Sequence, residues 1–532
     1  VEIPLYVNKD VASKMVSVKA STYNLENGKV VETKLEKDNL FKEKLDRNRV
    51  VYKFTLPNVK EGSIIEYQYK VLKDYLFTLD PWYFQSTVPV LWSEYKITLP
   101  PFLKYMSVGQ MYNQFHVQES KEKNISYNIV QERESPLPAQ HLSISGKATE
   151  FRWAMKEMPA LKDESFITSW QNYAVKLEFQ LAGFDEPLEK KNILSTWPEA
   201  TKDLLDNHYG KSLTEGDFII KDLVSPFKDI SNPAERARKI YEYVRDHFTC
   251  VDHYETYPDQ SIKELIKTKQ GSVVEINLLL TGMLRAAGIS SDPVILSRRQ
   301  FGSTSTTYPM MDKFNYMISQ ARIGNDSYLL DASRPRLGFN KLPYDCFNGP
   351  ARIVNTAAEE INLNASQLTE KELVMVKLLN INGKWDGTVT KALGFYESYD
   401  TRELIQEKGE AKYLEQLQNA YSSNAKLSGL RIDSINVLEH PLTINYNLAI
   451  TREEEPIIYI NPMLGNRWSE NPFKSDNRTY PVEMPYKIDE TFHFTLEVPE
   501  GYLVDELPKS ISAKLNPQGD AIFEYKINSS GN

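Results

Sequence analysis

The stretch from Gly271 to Ser333 constrains the fold of this chain more than any other. Ser272 followed three positions later by Glu275 is a capping box, which predicts that Val273 is the first residue of a helix. Gly288 is predicted to end that helix. The apolar residues between them recur at helical spacing: Ile276, Leu279, Leu280, Met283, Leu284 and Ala287. Strand-like runs follow at 293–297, 314–323 and 327–331, so we predict one helix followed by three strands.

The start of this helix resembles the core of the transglutaminase-like superfamily, which includes papain-like cysteine proteases. In that family the helix begins Gly-x-Cys-x-Asp/Glu. The corresponding run here is Gly-Ser-Val-Val-Glu at 271–275. The resemblance therefore implies that Val273 occupies the position of the catalytic cysteine.

The strands carry the rest of the resemblance. The family's histidine lies in a context such as Asn-His-Val, where this chain has Asn-Tyr-Met at 315–317. The family's aspartate closes the next strand in a Leu-Asp-Ala/Pro-Thr/Ser context, which matches Leu-Asp-Ala-Ser at 330–333. By this resemblance, Asp331 is retained and Tyr316 replaces the histidine.

These substitutions remove the chemistry that the family depends on. A cysteine protease needs a thiolate, held at a helix N-terminus that lowers its pKa, and an imidazole that accepts its proton. Valine has no lone pair, and tyrosine, with a pKa of about 10, is a poor base at neutral pH. Our leading hypothesis is a degenerate triad of Val273, Tyr316 and Asp331, in a protein with no intact catalytic residue.

Other nucleophiles remain as alternatives. Ser272 is better explained as the helix cap, because a serine nucleophile needs a strong base beside it. Cys250 lies in an apolar-flanked strand and Cys346 lies beyond the catalytic strands. If either is a displaced nucleophile, the protein is an active cysteine peptidase or amidase. A third hypothesis is that the domains serve only as a structural scaffold.

If the core keeps a cleft, several side chains are expected to line it. His253 would approach the cleft if the loop 252–257 folded over it, and Tyr254 offers a ring on which a sugar or peptide can stack. The full set of expected cleft residues is Ser272, Glu275, His253, Tyr254 and Asn315. The sequence carries no cofactor signature and no metal-ligand spacing, so we predict no cofactor and no metal.

Composition limits the partners and the compartment. The 532 residues have a net charge of -9 and no long basic run, which argues against nucleic acid as a partner. The sequence contains no run of about 18 apolar residues, so we predict no membrane-spanning segment. The first residue is not Met and the last segment is strand-like, so we expect sequence to be missing at both ends. The resemblance implies a secreted or periplasmic bacterial protein with a peptide, protein or glycan ligand.

We predict a multidomain α+β protein. Residues 1–185 alternate with period two between turn signals, one of them Asn27-Gly28, which predicts a β-sandwich. Three segments of this region also resemble the β-domain that precedes transglutaminase-like cores in Gram-negative bacterial proteins. Residues 186–365 form the predicted papain-like core. Residues 366–532 form a predicted second β-domain, with a strand pair around Asn382-Gly383 and a helical insert at 398–420.

Overall fold

Strands make up most of the regular structure at both ends of the chain, and helices concentrate in its middle. A computed structural model describes residues 1–7, 13–45, 49–74, 76, 78–112, 114–131, 140–193, 196–214, 217–381, 384–451, 456–464 and 470–530. The chain divides into two compact units. The first comprises Val1–Lys162 and Tyr173–Ser195, and the second comprises Asp163–Asn172 and Thr196–Asn532.

The first unit is built from antiparallel strands. Its strands are β1 (Glu2–Tyr6), β2 (Ser13–Glu26), β3 (Lys29–Lys34), β4 (Leu40–Lys44), β5 (Arg49–Phe54), β6 (Ile64–Lys73), β7 (Thr78–Tyr83), β8 (Val90–Leu99), β9 (Leu103–Gln110), β10 (Val117–Gln131), β11 (Gln140–Met158), β12 (Lys176–Phe184) and β13 (Lys191–Asn192). They pair as β1-β5-β4, β3-β2-β6 and β10-β11-β8, and β12 pairs with β13, β7 and β9. Asn27 and Gly28 both have positive φ between β2 and β3, so the hairpin predicted there is confirmed.

The second unit holds the α-helices and fourteen of the described strands. Its helices are α1 (Trp197–Asp203), α2 (Gly210–Thr214), α3 (Asp217–Val224), α4 (Pro233–His247), α5 (Ile262–Thr268), α6 (Val273–Ala286) and α7 (Phe395–Asn419), and a π-helix (Leu204–Tyr209) joins α1 to α2. Its strands are β14 (Thr249–Asp252), β15 (Gln270–Ser272), β16 (Ser290–Leu296), β17 (Tyr316–Ile323), β18 (Asp326–Leu330), β19 (Asn348–Ile353), β20 (Glu360–Asn364), β21 (Thr369–Ile381), β22 (Lys384–Ala392), β23 (Ala425–Asp433), β24 (Thr443–Ile450), β25 (Lys487–Leu496), β26 (Ile511–Lys514) and β27 (Ile522–Tyr525). Short 3-10 helices lie at Lys37–Asn39 in the first unit and, in the second, at Trp170–Asn172, Ser225–Phe227, Arg299–Phe301, Met311–Lys313, Tyr344–Cys346 and Ala365–Gln367.

The helix α6 and an antiparallel sheet form the core of the second unit. The sheet has the order β18-β17-β16-β19-β20, and α6 packs against β16 and β17. The first three turns of α6 are buried on every side, because α2, α3 and α4 cover the face that the sheet leaves open. The predicted helix start at Val273, its capping box and the three strands after it are confirmed. Gly288 follows the helix with a φ of 77°, as expected for a residue that ends it.

The remainder of the second unit is a mixed sheet with one long helix. The sheet order is β23-β24-β22-β21-β25, in which β21 and β25 run parallel. The predicted helical insert is confirmed as α7, which starts at Phe395 and is interrupted at Gly409, where φ is 82°. Asn382 and Gly383 lie outside the described residues, while β21 and β22 pair on either side of them.

The chain is therefore multidomain and mostly β with some helices. The sandwich arrangement of its first part, the papain-like character of its core and the three domain boundaries stay predictions.

Candidate functional site

The N-terminus of α6 is fully enclosed by protein. Val273 is 0 % exposed, and Ser272 caps the helix, with its Oγ 3.5 Å from the backbone N of Glu275. Gly271, just before the cap, approaches its neighbours closely: an added Cβ would lie 2.6 Å from the Leu265 side chain and 2.8 Å from the Glu275 carboxylate. A glycine is needed there because a larger residue would displace the carboxylate.

The Glu275 carboxylate fastens a loop to the start of this helix. Its Oε1 accepts hydrogen bonds from the backbone N–H groups of Asp259 (2.8 Å) and Gln260 (2.9 Å). Its Oε2 accepts from the Gln260 side chain and from the Ser272 backbone N–H, both at 2.8 Å. With four donors on two buried oxygens, this carboxylate acts as a structural acceptor.

Tyr316 and Asp331 meet in a buried hydrogen-bond network. The Tyr316 hydroxyl donates to Asp331 Oδ2 at 2.7 Å, and both residues are 0 % exposed. Asp331 Oδ1 accepts from the Asn277 side chain (3.1 Å) and from the Ser333 backbone and hydroxyl (3.0 and 2.6 Å). Tyr316 and Asp331 are therefore hydrogen-bonded to each other, and neutral donors satisfy the carboxylate on both oxygens.

Two arginines border this network. Arg334 Nε donates to the Tyr316 hydroxyl at 3.2 Å, and the Arg298 guanidinium lies 5.2 Å from the centre of the Tyr316 ring. Asp345 links the two cations, 3.0 Å from Arg298 and 3.7 Å from Arg334. Burial, followed by the Asp331 charge, raises the pKa of Tyr316 well above its usual value. Tyr316 therefore remains a protonated donor and cannot act as a base near neutral pH.

A thiol and an imidazole lie beside the start of α6. Cys250 on β14 is the strand partner of Gly271, and its Sγ lies 3.3 Å from Nδ1 of His253. Burial raises the pKa of Cys250 to about 12. Burial, reinforced by Arg334, lowers the pKa of His253 to about 4. Both groups are therefore neutral at pH 7, without the thiolate–imidazolium ion pair of an activated cysteine.

The depressed pKa of His253 predicts a dependence of stability on pH. The unfolded chain takes up this proton near pH 6.5 and the folded chain only near pH 4, so the folded state is disfavoured as the pH falls between them. The contribution is complete above pH 6.5 and is lost by pH 4, up to about 3 kcal/mol. In urea unfolding at pH 7.5 and 4.5, His253→Gln should lose less stability on acidification than the wild type. An equal loss in both proteins would contradict this.

The expected cleft residues differ in exposure. Ser272, Glu275 and Asn315 are buried, and the Asn315 side chain accepts from the Arg298 backbone N–H at 3.0 Å. Tyr254 is 55 % exposed, with the Arg298 guanidinium 4.3 Å from its ring centre. His253 is half-buried, with its ring beside Cys250.

Four residues that complete the network escaped the sequence analysis. They are Asn277, Arg298, Arg334 and Asp345. Asn277 gave the only usable signal, because a polar residue one turn after Val273 interrupts an apolar helix. The arginines and Asp345 come from loops, where no periodicity marks a buried position.

Three further observations concern the cysteine thiols, metal binding and membrane-spanning helices. Cys250 and Cys346 are both free thiols. Among the residues that the structure describes, no three His, Cys, Asp or Glu side chains gather in a way that would hold a metal ion. Within the same ranges, no helix has the length and apolarity needed to span a membrane.

Three family models match parts of the chain. Residues 10–162 match DUF3857 and residues 456–532 match DUF3858, each a domain of unknown function with a solved structure. Residues 221–307, which include α4, α6 and β16, match the transglutaminase-like superfamily. No curated protein matches the chain.

Two solved structures are similar to the chain. One is described as a "putative protease" from Parabacteroides distasonis, 13 % identical, with a TM-score of 0.49, covering 85 % of this chain and 86 % of that one. The other is described as a "putative cysteine protease" from Cytophaga hutchinsonii, 12 % identical, with a TM-score of 0.20, covering 47 % of this chain and 79 % of that one. At these values neither similarity bears on the chemistry of the site.

Proposed function

We propose that this chain, which carries a transglutaminase-like core domain between a DUF3857 and a DUF3858 domain, is a noncatalytic binding protein of the bacterial envelope. Its ligand would be a peptide or cell-wall material. One observation carries the proposal: Tyr316 donates to Asp331 at 2.7 Å in full burial, at the positions where the family resemblance places the histidine and aspartate.

The surroundings of these residues support a loss of thiol chemistry. Val273, at the inferred nucleophile position, is fully buried and offers no atom that could attack a carbonyl carbon. The Asp331 oxygens are occupied by Tyr316, Asn277 and Ser333, so no imidazole is oriented by this carboxylate. A substrate amide would reach neither a nucleophile nor a base at this point.

The exposed surface next to the network is where we place ligand contact. Tyr254 presents an exposed ring, and the buried Arg298 guanidinium below it holds that ring in place by a cation–π contact. An aromatic ring with a polar tip suits stacking on a peptide or sugar. The envelope location and the ligand class rest on the family resemblance.

The proposal is tested by incubating the full chain with a mixture of peptides and peptidoglycan fragments. We expect some components to be retained at equilibrium, none to be cleaved or cross-linked, and retention to fall in Tyr254→Ala. Turnover that disappears in Asp331→Asn would contradict the loss of catalysis. Absence of both retention and turnover would favour a scaffold role, which the complete burial of Val273, Tyr316 and Asp331 also fits.

A second candidate function is an active cysteine peptidase or amidase with Cys250 as a displaced nucleophile. The observation that favours it is the 3.3 Å separation of Cys250 Sγ from His253 Nδ1, beside the start of α6. The raised pKa of the thiol opposes it, because burial keeps Cys250 protonated.

Alkylation kinetics distinguish the two candidates. With a thiol pKa of about 12, Cys250 should react with iodoacetamide at pH 8 at least about 100-fold more slowly than a free cysteine, because so little thiolate is present. The rate is measured in Cys346→Ala, so that only Cys250 contributes. Labelling as fast as that of free cysteine, slowed by His253→Ala and accompanied by loss of a peptide-cleaving activity, would establish the second candidate instead.

A further inference from the structure

A pocket of about 190 Å³ opens in the second unit, and two residues of the buried network, Arg334 and Asp345, form part of its lining. Its walls come from the chain after β18, from the 3-10 helix at Tyr344–Cys346 and from the first turns of α7. The lining residues are Arg334, Leu337, Pro343, Tyr344, Asp345, Phe395, Tyr396, Tyr399 and Asp400. Arg334 belongs to both places, because its Nε reaches the Tyr316 hydroxyl.

Asp400 is a carboxylate whose charge is not compensated. Across the described ranges of the chain, no hydrogen-bond donor or cation pairs with its side chain, and the residue is exposed to solvent where it lines the pocket. The protein atoms beside it remove part of its hydration, and this, with a smaller effect of the Glu403 charge, raises the pKa of Asp400. Glu403 itself is paired with Arg336 at 2.6 Å, so that cation is already engaged. A carboxylate that lines a pocket without a paired cation is stabilised by an opposite charge.

Aromatic side chains with polar tips line the same pocket as Asp400. Within the described part of the chain, the hydroxyls of Tyr344, Tyr396 and Tyr399 make no hydrogen bond to protein, so all three can accept one from a ligand. Burial raises the pKa of each, which keeps them protonated at neutral pH. The pocket thus combines the Asp400 carboxylate, hydroxyl acceptors and aromatic rings.

The other charged groups at the pocket are accounted for. Asp345 is paired with Arg298 and Arg334. Lys341, which is not one of the lining residues, has its ammonium 4.9 Å from the centre of the Phe395 ring. Arg334, which also lines the pocket, can donate a hydrogen bond to a carbonyl oxygen of a ligand.

We infer that this pocket binds the primary ammonium group of a peptide, such as a lysine side chain, against Asp400 and the three tyrosines. An ammonium has three donors and no acceptor, which complements a carboxylate and hydroxyl oxygens. Its charge is also attracted to tyrosine ring faces. The inference deepens the proposed function and rests on it in one respect, namely that the ammonium is carried by a peptide.

The test compares two small probes on the full chain by titration calorimetry at pH 7. N-acetyl-lysine amide carries the ammonium, and N-acetyl-norleucine amide has a hydrocarbon end instead. We expect the lysine derivative to bind at least about tenfold more tightly, a difference of about 1.4 kcal/mol. Asp400→Asn should abolish this preference, and Tyr399→Phe should reduce it. Asp326→Asn, which changes an exposed aspartate at the start of β18, is the control and should leave it unchanged.

Equal binding of the two probes, or a lysine preference that survives Asp400→Asn, would overturn the inference. Thermal unfolding of Asp400→Asn, with an unchanged midpoint expected, shows that a lost preference is not a lost fold. If the lysine probe binds through Asp400 but no peptide mixture is retained, the ammonium site stands and the proposed function fails. If peptides are retained equally by Asp400→Asn and wild type, the proposed function stands and the ammonium site fails.

Discussion

Asp331→Ala is expected to lower the free energy of unfolding of the second unit by about 4 kcal/mol, the largest effect of any single change at the network. Removing the carboxylate leaves the Tyr316 hydroxyl, the Asn277 amide and the Ser333 hydroxyl without their acceptor, all in full burial. It also leaves the Arg334 charge beside a site that has lost its anion. Urea unfolding followed by tryptophan fluorescence measures the change.

Two further variants separate this loss from a general effect of mutation. Asp331→Asn keeps one carbonyl oxygen for Ser333 and Asn277, so we expect it to recover part of the stability. Asp326→Ala removes an exposed carboxylate at the other end of the same strand, β18, and should change stability by less than about 0.5 kcal/mol. Equal effects of Asp331→Ala and Asp326→Ala would mean that the buried network contributes nothing to folding.

Glu275→Ala is expected to cost about 3 kcal/mol, the second largest effect. The substitution removes the acceptor of four donors: the backbone N–H groups of Asp259, Gln260 and Ser272, and the Gln260 side chain. Because the site is buried, water cannot replace these hydrogen bonds freely. The loop that carries Asp259 and Gln260 should then exchange its amide hydrogens faster, which hydrogen exchange detects directly.

The chain contains a matched control for this experiment. Glu199 closes the capping box of α1 in the same way, accepting from the Thr196 backbone N–H at 2.8 Å, but it does so at an exposed site. Glu199→Ala should therefore cost only about 0.5 to 1 kcal/mol, the usual value of a helix cap. A cost at Glu275 no greater than that at Glu199 would show that the buried contacts to the loop add nothing to the cap.

These variants also bear on function. If Asp331 and Glu275 stabilise the folded state and do not contact the ligand, replacing either one lowers the free energy of unfolding. The fraction of each variant that remains folded should still bind ligand. A variant such as Tyr254→Ala is expected to do the opposite, because its exposed ring contributes little to the core. The two sets of measurements together distinguish a binding surface from a structural network.

Local patterns predicted the helices and strands of the core well. The capping box predicted the first residue of α6. A local signal of the same kind stands at the start of α4, where Pro233 begins the helix and the Asn232 side chain accepts from two backbone N–H groups just after it. These signals are reliable because they depend on residues three or four positions apart. The predicted insert at 398–420 began three residues late, since Gly394 caps α7 without a side-chain hydrogen bond and leaves no polar signature.

Contacts between distant residues could not be predicted in the same way. Tyr316 and Asp331 are linked because β17 and β18 are antiparallel neighbours, and the family resemblance anticipated that pair. Nothing local indicated that Arg298 and Arg334 would share Asp345, or that His253 would turn toward Cys250. Loops supply these residues, and their positions depend on packing against the whole unit.

By itself the sequence determined where α6 starts and the order of the strands after it. It also determined that position 273 carries a valine and therefore no thiol. Each of these depends only on side-chain type and short spacing. Only the tertiary structure decided that Val273, Tyr316 and Asp331 are sealed from solvent, and that Asp400 lines a pocket with three tyrosines and pairs with no cation among the residues that the structure describes. The physical reason is that burial and the pairing of charges depend on which distant segments pack together, and helical or strand periodicity carries no information about that packing.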